Sequence, residues 1–142
     1  MHNVELVFVF KSSKQADQNN IQLGKFGRNR TNVWHYSTAG TSSRSAASAD
    51  TGVHPTVKPL LMVSDTILDC TQRNDIVLDP FLGSGTTLLA AERTGRRCFG
   101  IELDPIYVDT AIERWQRMTG HHALSPFGET FEFVKAKRRI GS

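Results

Sequence analysis

A chain of 142 residues, 39% apolar and 22% charged, has the make-up of one globular domain with a real core and no room for a second of ordinary size. No apolar stretch approaches a membrane span, and the short apolar segment at residues 4–10 lacks a basic leader and a cleavage site, so a cytoplasmic protein with no membrane partner is expected. The net charge of +3 is compatible with a polyanionic partner without demanding one, while Cys70, Cys98 and the pair His121-His122 show no disulfide or metal-ligand spacing.

In chain order, residues 4–10 are rich in β-branched and aromatic side chains and read as a buried strand. Residues 14–36 show no clean period. Residues 37–52 are almost wholly Ser, Thr, Ala and Gly, a flexible linker composition. After Pro59, which suits a first helical turn, Leu60, Leu61, Ser64, Ile67 and Leu68 share one helical face. A strand over 75–79 follows, then a turn with Gly83 and Gly85, then a helix that Gly95 closes as a left-handed cap. Residues 97–102 read as a second strand ending in a carboxylate. Asp104-Pro105 is a cap and first-turn pair for a helix with face Val108, Ala111, Ile112 and Trp115 and stop Gly120. Residues 129–134 are expected to add a short strand to the tail. The two isolated thiols read as buried small hydrophobes.

Strand, glycine turn, helix, strand, helix is the order of a parallel βαβ unit, and predicts an α/β, doubly wound, Rossmann-like sheet with its ligand crevice at the strand carboxyl ends. Asp79 and Glu102 then end neighbouring strands. Glu102 stands nineteen residues after Gly83, near the spacing at which an acid accepts hydrogen bonds from both hydroxyls of a ribose, which points to an adenosine-containing ligand. A dinucleotide fingerprint wants glycine where Leu88 stands, and the Gly-Lys-Ser/Thr ending of a P-loop is missing. That disfavours a nicotinamide-dependent dehydrogenase. S-adenosylmethionine meets the pattern better: a ribose for Glu102, a carboxylate for the N–H groups of Gly83 and Gly85, and positive charges for Asp79 and the Phe81 ring. Taken alone, the turn also suits a strand-to-helix junction with no ligand, and Phe81 a core position.

The turn has company. His54-Pro55-Thr56-Val57-Lys58-Pro59, then Asp79-Pro80-Phe81-Leu82-Gly83-Ser84-Gly85-Thr86-Thr87, then Gly100-Ile101-Glu102 with Tyr107, Ala111 and Arg114 beyond, together resemble the S-adenosylmethionine-dependent DNA amino-methyltransferases. The likeness is to the permuted subgroup, in which catalytic motifs precede cofactor motifs, and it covers residues 53–117. A weaker likeness makes residues 5–11 the last strand of the catalytic half and residues 24–36 the approach to the His-Pro-Thr motif. The resemblance implies a partial methyltransferase sheet, with S-adenosyl-L-methionine held by Thr56, Lys58, Asp79, Pro80, Phe81, Gly83, Ser84, Gly85, Thr86 and Glu102. It further implies methyl transfer to the exocyclic amine of adenine or cytosine in DNA. Arg28, Arg30 and Trp34, in a stretch mixing cations and aromatics, are candidates for DNA contact. The basic run at 135–139 reads as a solvated end.

An exocyclic amine is a poor nucleophile, because its lone pair is delocalised into the ring. The family activates it with an Asp/Asn/Ser-Pro-Pro-aromatic motif, and this chain has no such tetrapeptide. Asp104-Pro105-Ile106-Tyr107 imitates it, but it is explained as a helix cap and first turn on the cofactor side of the crevice. The chain is therefore expected to divide into a catalytic-half strand and irregular segment (1–36), a linker (37–52), a cofactor-binding βαβα unit (53–120) and a tail (121–142). No catalytic residue is assigned. Such a chain is expected to be a truncated product, a remnant, or one piece of a divided enzyme inactive without a polypeptide carrying the catalytic half; an exposed sheet edge would favour that partner or self-association. The rival reading is a non-catalytic DNA-binding or regulatory remnant of such an enzyme.

Overall fold

A computed structural model describes residues 6–10, 18–21, 31, 33–36 and 58–140. The linker expected at 37–52, together with Thr56, Arg28 and Arg30, lies outside the described residues. The ordered part runs α1 (Leu60–Cys70), β1 (Ile76–Asp79), α2 (Thr86–Thr94), β2 (Arg97–Gly100), α3 (Pro105–Thr119) and α4 (Phe131–Ile140). Among the described residues no helix is long and apolar enough to cross a membrane, and no group of metal-binding side chains forms.

β1 and β2 pair in parallel, Ile76 opposite Arg97 and Asp79 opposite Gly100, with α2 as the crossover. This is the α/β, Rossmann-like unit that the order of elements predicts, and it is partial: two strands among the described residues. The ladder continues past the strand ends, since Ile101 N–H donates to the Asp79 carbonyl (2.9 Å) and Leu82 N–H to the Ile101 carbonyl (3.0 Å). That continuation carries the glycine turn and the end of β2 side by side.

The core sits on one face of this ribbon. Ile67 of α1 and Ala90 and Ala91 of α2 are buried, and Leu60, Val63, Val77 and Cys98 pack against them. Two fully buried alanines let α2 lie close to both α1 and the strands. Ser64, also buried, satisfies its hydroxyl on the Leu60 carbonyl (2.9 Å). On the opposite face Ile76, Leu78 and Phe99 stay more than half exposed, as does Ile101 just past β2.

The helix ends follow local rules. Asp104 caps α3 by accepting from Ile106 N–H (2.9 Å), with Pro105 in the first turn. Gly95 and Gly120 end α2 and α3 in the left-handed region. Pro59 is the residue before α1 and not its first turn. Arg96 and Asn20 satisfy carbonyls at the end of α1, Arg96 through Thr71 (2.7 Å) and Asn20 through Leu68 and Thr71 (2.7 and 2.8 Å).

Four expectations change. Residues 6–10 form no strand and are exposed, Phe10 at 89%, because no neighbour supplies a ladder for them among the described residues. The α1 face is rotated: Leu61 and Leu68 are exposed, and the buried stripe is Leu60, Val63, Ser64 and Ile67. Cys70 is exposed, its thiol donating to the Thr66 carbonyl (3.2 Å), and only Cys98 is partly buried. The tail is not a strand and solvated end but carries α4. Phe131 is buried and Val134 half-buried while Phe133 is exposed, which is helical spacing and not alternation. Three basic side chains of α4 meet acids: Lys135 pairs with Glu113 and Asp109, Arg138 with Asp109 (2.8 Å) and Lys137 with Glu129 (2.8 Å). Alternating apolar residues at 131 and 133 mimicked a strand; the acids on α3 decided otherwise.

The rotated α1 face has a measurable consequence. Ile67→Ala should cost about 2–4 kcal/mol in urea unfolding, and Leu68→Ala under about 1 kcal/mol; equal losses would return Leu68 to the core.

Candidate functional site

The turn after β1 is built by three short-range devices. The Asp79 carboxylate accepts from Phe81 N–H (3.0 Å), which folds the chain back at Pro80. Gly83 and Gly85 take positive φ of 54° and 86°, where a side chain is costly. Gly85 N–H returns to the Leu82 carbonyl (3.0 Å), and α2 starts at the next residue.

Gly85 also has no room for a side chain, since a Cβ there would lie 2.7 Å from that of Ala111 on α3. A Cβ on Gly83 would make only an ordinary contact, 4.0 Å from the Phe81 carbonyl oxygen. The two glycines are therefore needed for different reasons, Gly83 for conformation and Gly85 for conformation and close approach.

Glu102 sits two residues past β2 and reaches across the crevice. Its Oε2 accepts from Gly83 N–H (2.7 Å), and its Oε1 from the N–H groups of Leu103 (2.8 Å) and Asp104 (2.9 Å). These backbone donors, Asp104 first and then Gly83, hold its carboxyl below the usual glutamate range, with Leu103 adding to them and partial desolvation opposing. Three of roughly four acceptor positions on the carboxylate are thus taken, and one remains for an incoming hydroxyl.

Around this link lies an open cleft of about 460 Å³ lined by Lys58, Val63, Asp79, Phe81, Leu82, Gly83, Ser84, Thr86, Thr87, Glu102 and Tyr107. Two carboxylates stand at the ends of neighbouring strands, the Phe81 ring is 88% exposed, and Lys58 comes from the approach to α1. The first turn of α2 adds backbone donors that have no intrahelical partner. Such a cleft suits a ligand with hydroxyls or a positive charge at one end and an acid group at the other.

Of the residues expected to bind a ligand, Lys58, Asp79, Phe81, Gly83, Ser84, Thr86 and Glu102 come together here. Pro80 and Gly85 do not line the cleft; they shape the turn that does. The N–H groups of Gly83 and Gly85, expected to receive an acid group, are already spent on Glu102 and Leu82, which leaves that role to Thr86 and Thr87 at the start of α2. Trp34 lies elsewhere, its Nε1–H on the Thr31 carbonyl (3.0 Å) and its ring edge-on to Tyr36, whose hydroxyl donates to Asp65 of α1 (2.6 Å).

Sequence reasoning missed Val63, Leu82 and Thr87. Thr87 had a signal, as the second residue of a helix that starts at the turn. Val63 had none, because only the packing of α1 brings it to the cleft.

A family model described as DNA methylase matches residues 3–113. Among curated proteins, the type II methyltransferase M.ScaI of Streptomyces caespitosus is 35% identical over 104 residues, covering 73% of this chain and 34% of that protein. The type II methyltransferase M2.MboI of Moraxella bovis is 34% identical over 117 residues, covering 80% of this chain and 41% of that protein. The chain thus spans between a quarter and two-fifths of the curated relatives it matches. Among solved structures, the M1.HpyAVI–SAM complex shows 46% identity and a TM-score of 0.39, over 40% of this chain and 30% of that one.

Two measurements test the geometry of the turn. Gly85→Ala should lose about 2 kcal/mol or more of stability, and Gly83→Ala about 1 kcal/mol. Because Glu102 has a lowered pKa in the folded chain, its contribution is complete above the unfolded glutamate value and is lost as pH falls through the folded one. The stability gap between the native chain and Glu102→Gln should therefore be widest near neutrality and close on acidification.

Proposed function

Because the chain belongs to the DNA methylase family, we propose that the cleft is the S-adenosyl-L-methionine site of a DNA amino-methyltransferase. The observation that carries this reading is the Gly83–Glu102 link, which sets an acceptor for a ribose hydroxyl beside a glycine turn and a helix start. The residues present fit the cofactor. Glu102 keeps an acceptor position for the ribose, Asp79 and the Phe81 face suit the ammonium and sulfonium charges, and the first turn of α2 suits the carboxylate. Lys58, with Thr56 before it, would close over the methionine end. When bound, the cofactor supplies an electrophilic methyl group.

What this chain does is bind and orient. Three backbone donors favour the ionised carboxylate, so in this reading Glu102 serves as a fixed acceptor. Asp79 has one oxygen committed to Phe81 N–H, which aims the other. Neither group is arranged to activate an exocyclic amine.

The substrate of the whole enzyme is adenine or cytosine in DNA, with Arg28, Arg30 and Trp34 as candidates for contact with it. Methyl transfer requires the Asp/Asn/Ser-Pro-Pro-aromatic motif, which these 142 residues do not contain, so in this reading the motif is supplied from outside them, in the same polypeptide or in another. The open face formed by Ile76, Leu78, Phe99 and Ile101 supports a further part of the fold packing there, since parallel sheets are normally covered on both sides.

Calorimetry with S-adenosyl-L-methionine should show one binding event that Glu102→Ala weakens about tenfold or more. The same chain incubated with DNA and labelled cofactor should transfer no methyl groups. Turnover by the chain alone would overturn the division of labour, and DNA binding without cofactor binding would favour a non-catalytic remnant.

A further inference from the structure

Tyr107, Ala111 and Arg114 stand on one face of α3 at spacings of four and three residues, and all three meet the cleft or its turn. Tyr107 lines the cleft and Ala111 backs onto Gly85. Arg114 reaches Ser84: one guanidinium nitrogen, Nη1, donates to the Ser84 carbonyl (2.6 Å) and to its hydroxyl (3.0 Å). It does not line the cleft.

The peptide joining Ser84 to Gly85 is thereby held at both ends, its oxygen by Arg114 and its N–H by the Leu82 carbonyl. Without such a hold, this peptide is the weakest joint of the turn. Flipping a peptide changes ψ of the residue before it and φ of the residue after it, and a following glycine tolerates either sign of φ. A flip would take the Ser84 oxygen off α3 and turn the N–H of Gly85 away from Leu82, disturbing the start of α2, where an anionic group is to be received. A charge-assisted bond of 2.6 Å opposes that flip strongly.

We propose that Arg114 is a positioning residue for the cofactor cleft: by locking the Ser84–Gly85 peptide it sets the donors that receive the amino-acid end of the ligand, while the nucleoside end, held by Glu102, is indifferent to it. The inference rests on the cofactor reading above and deepens it. Its distinguishing mark is a selective loss, since a residue that merely stabilised the fold would weaken both ends of the ligand alike.

The test compares two probes on the full chain, S-adenosylhomocysteine and adenosine, which share the nucleoside and differ in the amino-acid moiety. Arg114→Ala should weaken S-adenosylhomocysteine about tenfold or more and leave adenosine within about twofold. Arg114→Lys, which keeps the charge and a donor nitrogen, should recover part of the loss. Should Arg114→Ala fail to fold, Arg114→Gln, which keeps a donor without the charge, carries the same comparison against Arg114→Lys. Equal weakening of both probes, or no weakening of either, overturns the positioning role while leaving the cofactor reading intact. A native chain that binds neither probe overturns both.

Discussion

A charge-assisted bond from a backbone donor joins the two halves of the site. Gly83 N–H to the Glu102 carboxylate, 2.7 Å across nineteen residues, ties the turn after β1 to the end of β2. The parallel register puts Asp79 opposite Gly100, and the ladder runs on through Ile101 to Leu82, so the carboxylate arrives where Gly83 can meet it. The carboxylate then draws Leu103 and Asp104 in as well, and Asp104 in turn caps α3. Strand pairing, turn, ligand acceptor and the start of α3 are one connected set of hydrogen bonds. Charge-assisted bonds of this kind are roughly twice as strong as neutral ones, which is why a short open turn keeps a defined shape.

The helices support that set from below. Ala90 and Ala91 bring α2 against α1 and the strands, Ala111 brings α3 against Gly85, and the small side chains decide how close the elements come. At Gly100 a Cβ would lie 2.7 Å from the end of the Leu82 side chain, which can move aside, so the close approach is strictest at Gly85. Contacts this tight leave little tolerance at the positions that border the cleft. By contrast the far side of the sheet carries Ile76, Leu78 and Phe99 in the open, a surface that a parallel sheet ordinarily buries. Among the described residues the molecule is thus packed on the face that carries α1 and α2 and open on the face opposite.

How much could be read from the residues depended on how local each decision was. The caps at Asp104, Gly95 and Gly120 were legible because a cap is settled within four or five residues. So was the reading of Asp104-Pro105 as a cap and first turn: it opens α3, and Tyr107 lines the cleft. Less legible were choices between two periodicities or two faces. Residues 131–134 alternate like a strand, yet the acids Asp109 and Glu113 on α3 reward a helix whose Lys135 and Arg138 reach them. Leu61 and Leu68 are as apolar as Leu60 and Ile67, and only the position of α2 says which pair is covered.

By itself, the sequence determined the order of elements from α1 to α3, the two glycines of the turn and the acid just past the second strand, because spacing and allowed backbone angles are properties of the chain. Only the tertiary structure decided which donors remain for a ligand. The N–H groups of Gly83 and Gly85 are spent on Glu102 and Leu82, and Arg114 is drawn to Ser84 from thirty residues away. A hydrogen bond between distant residues exists only once packing has brought both ends together, and no pattern of residue types records which of several acceptors a donor will meet.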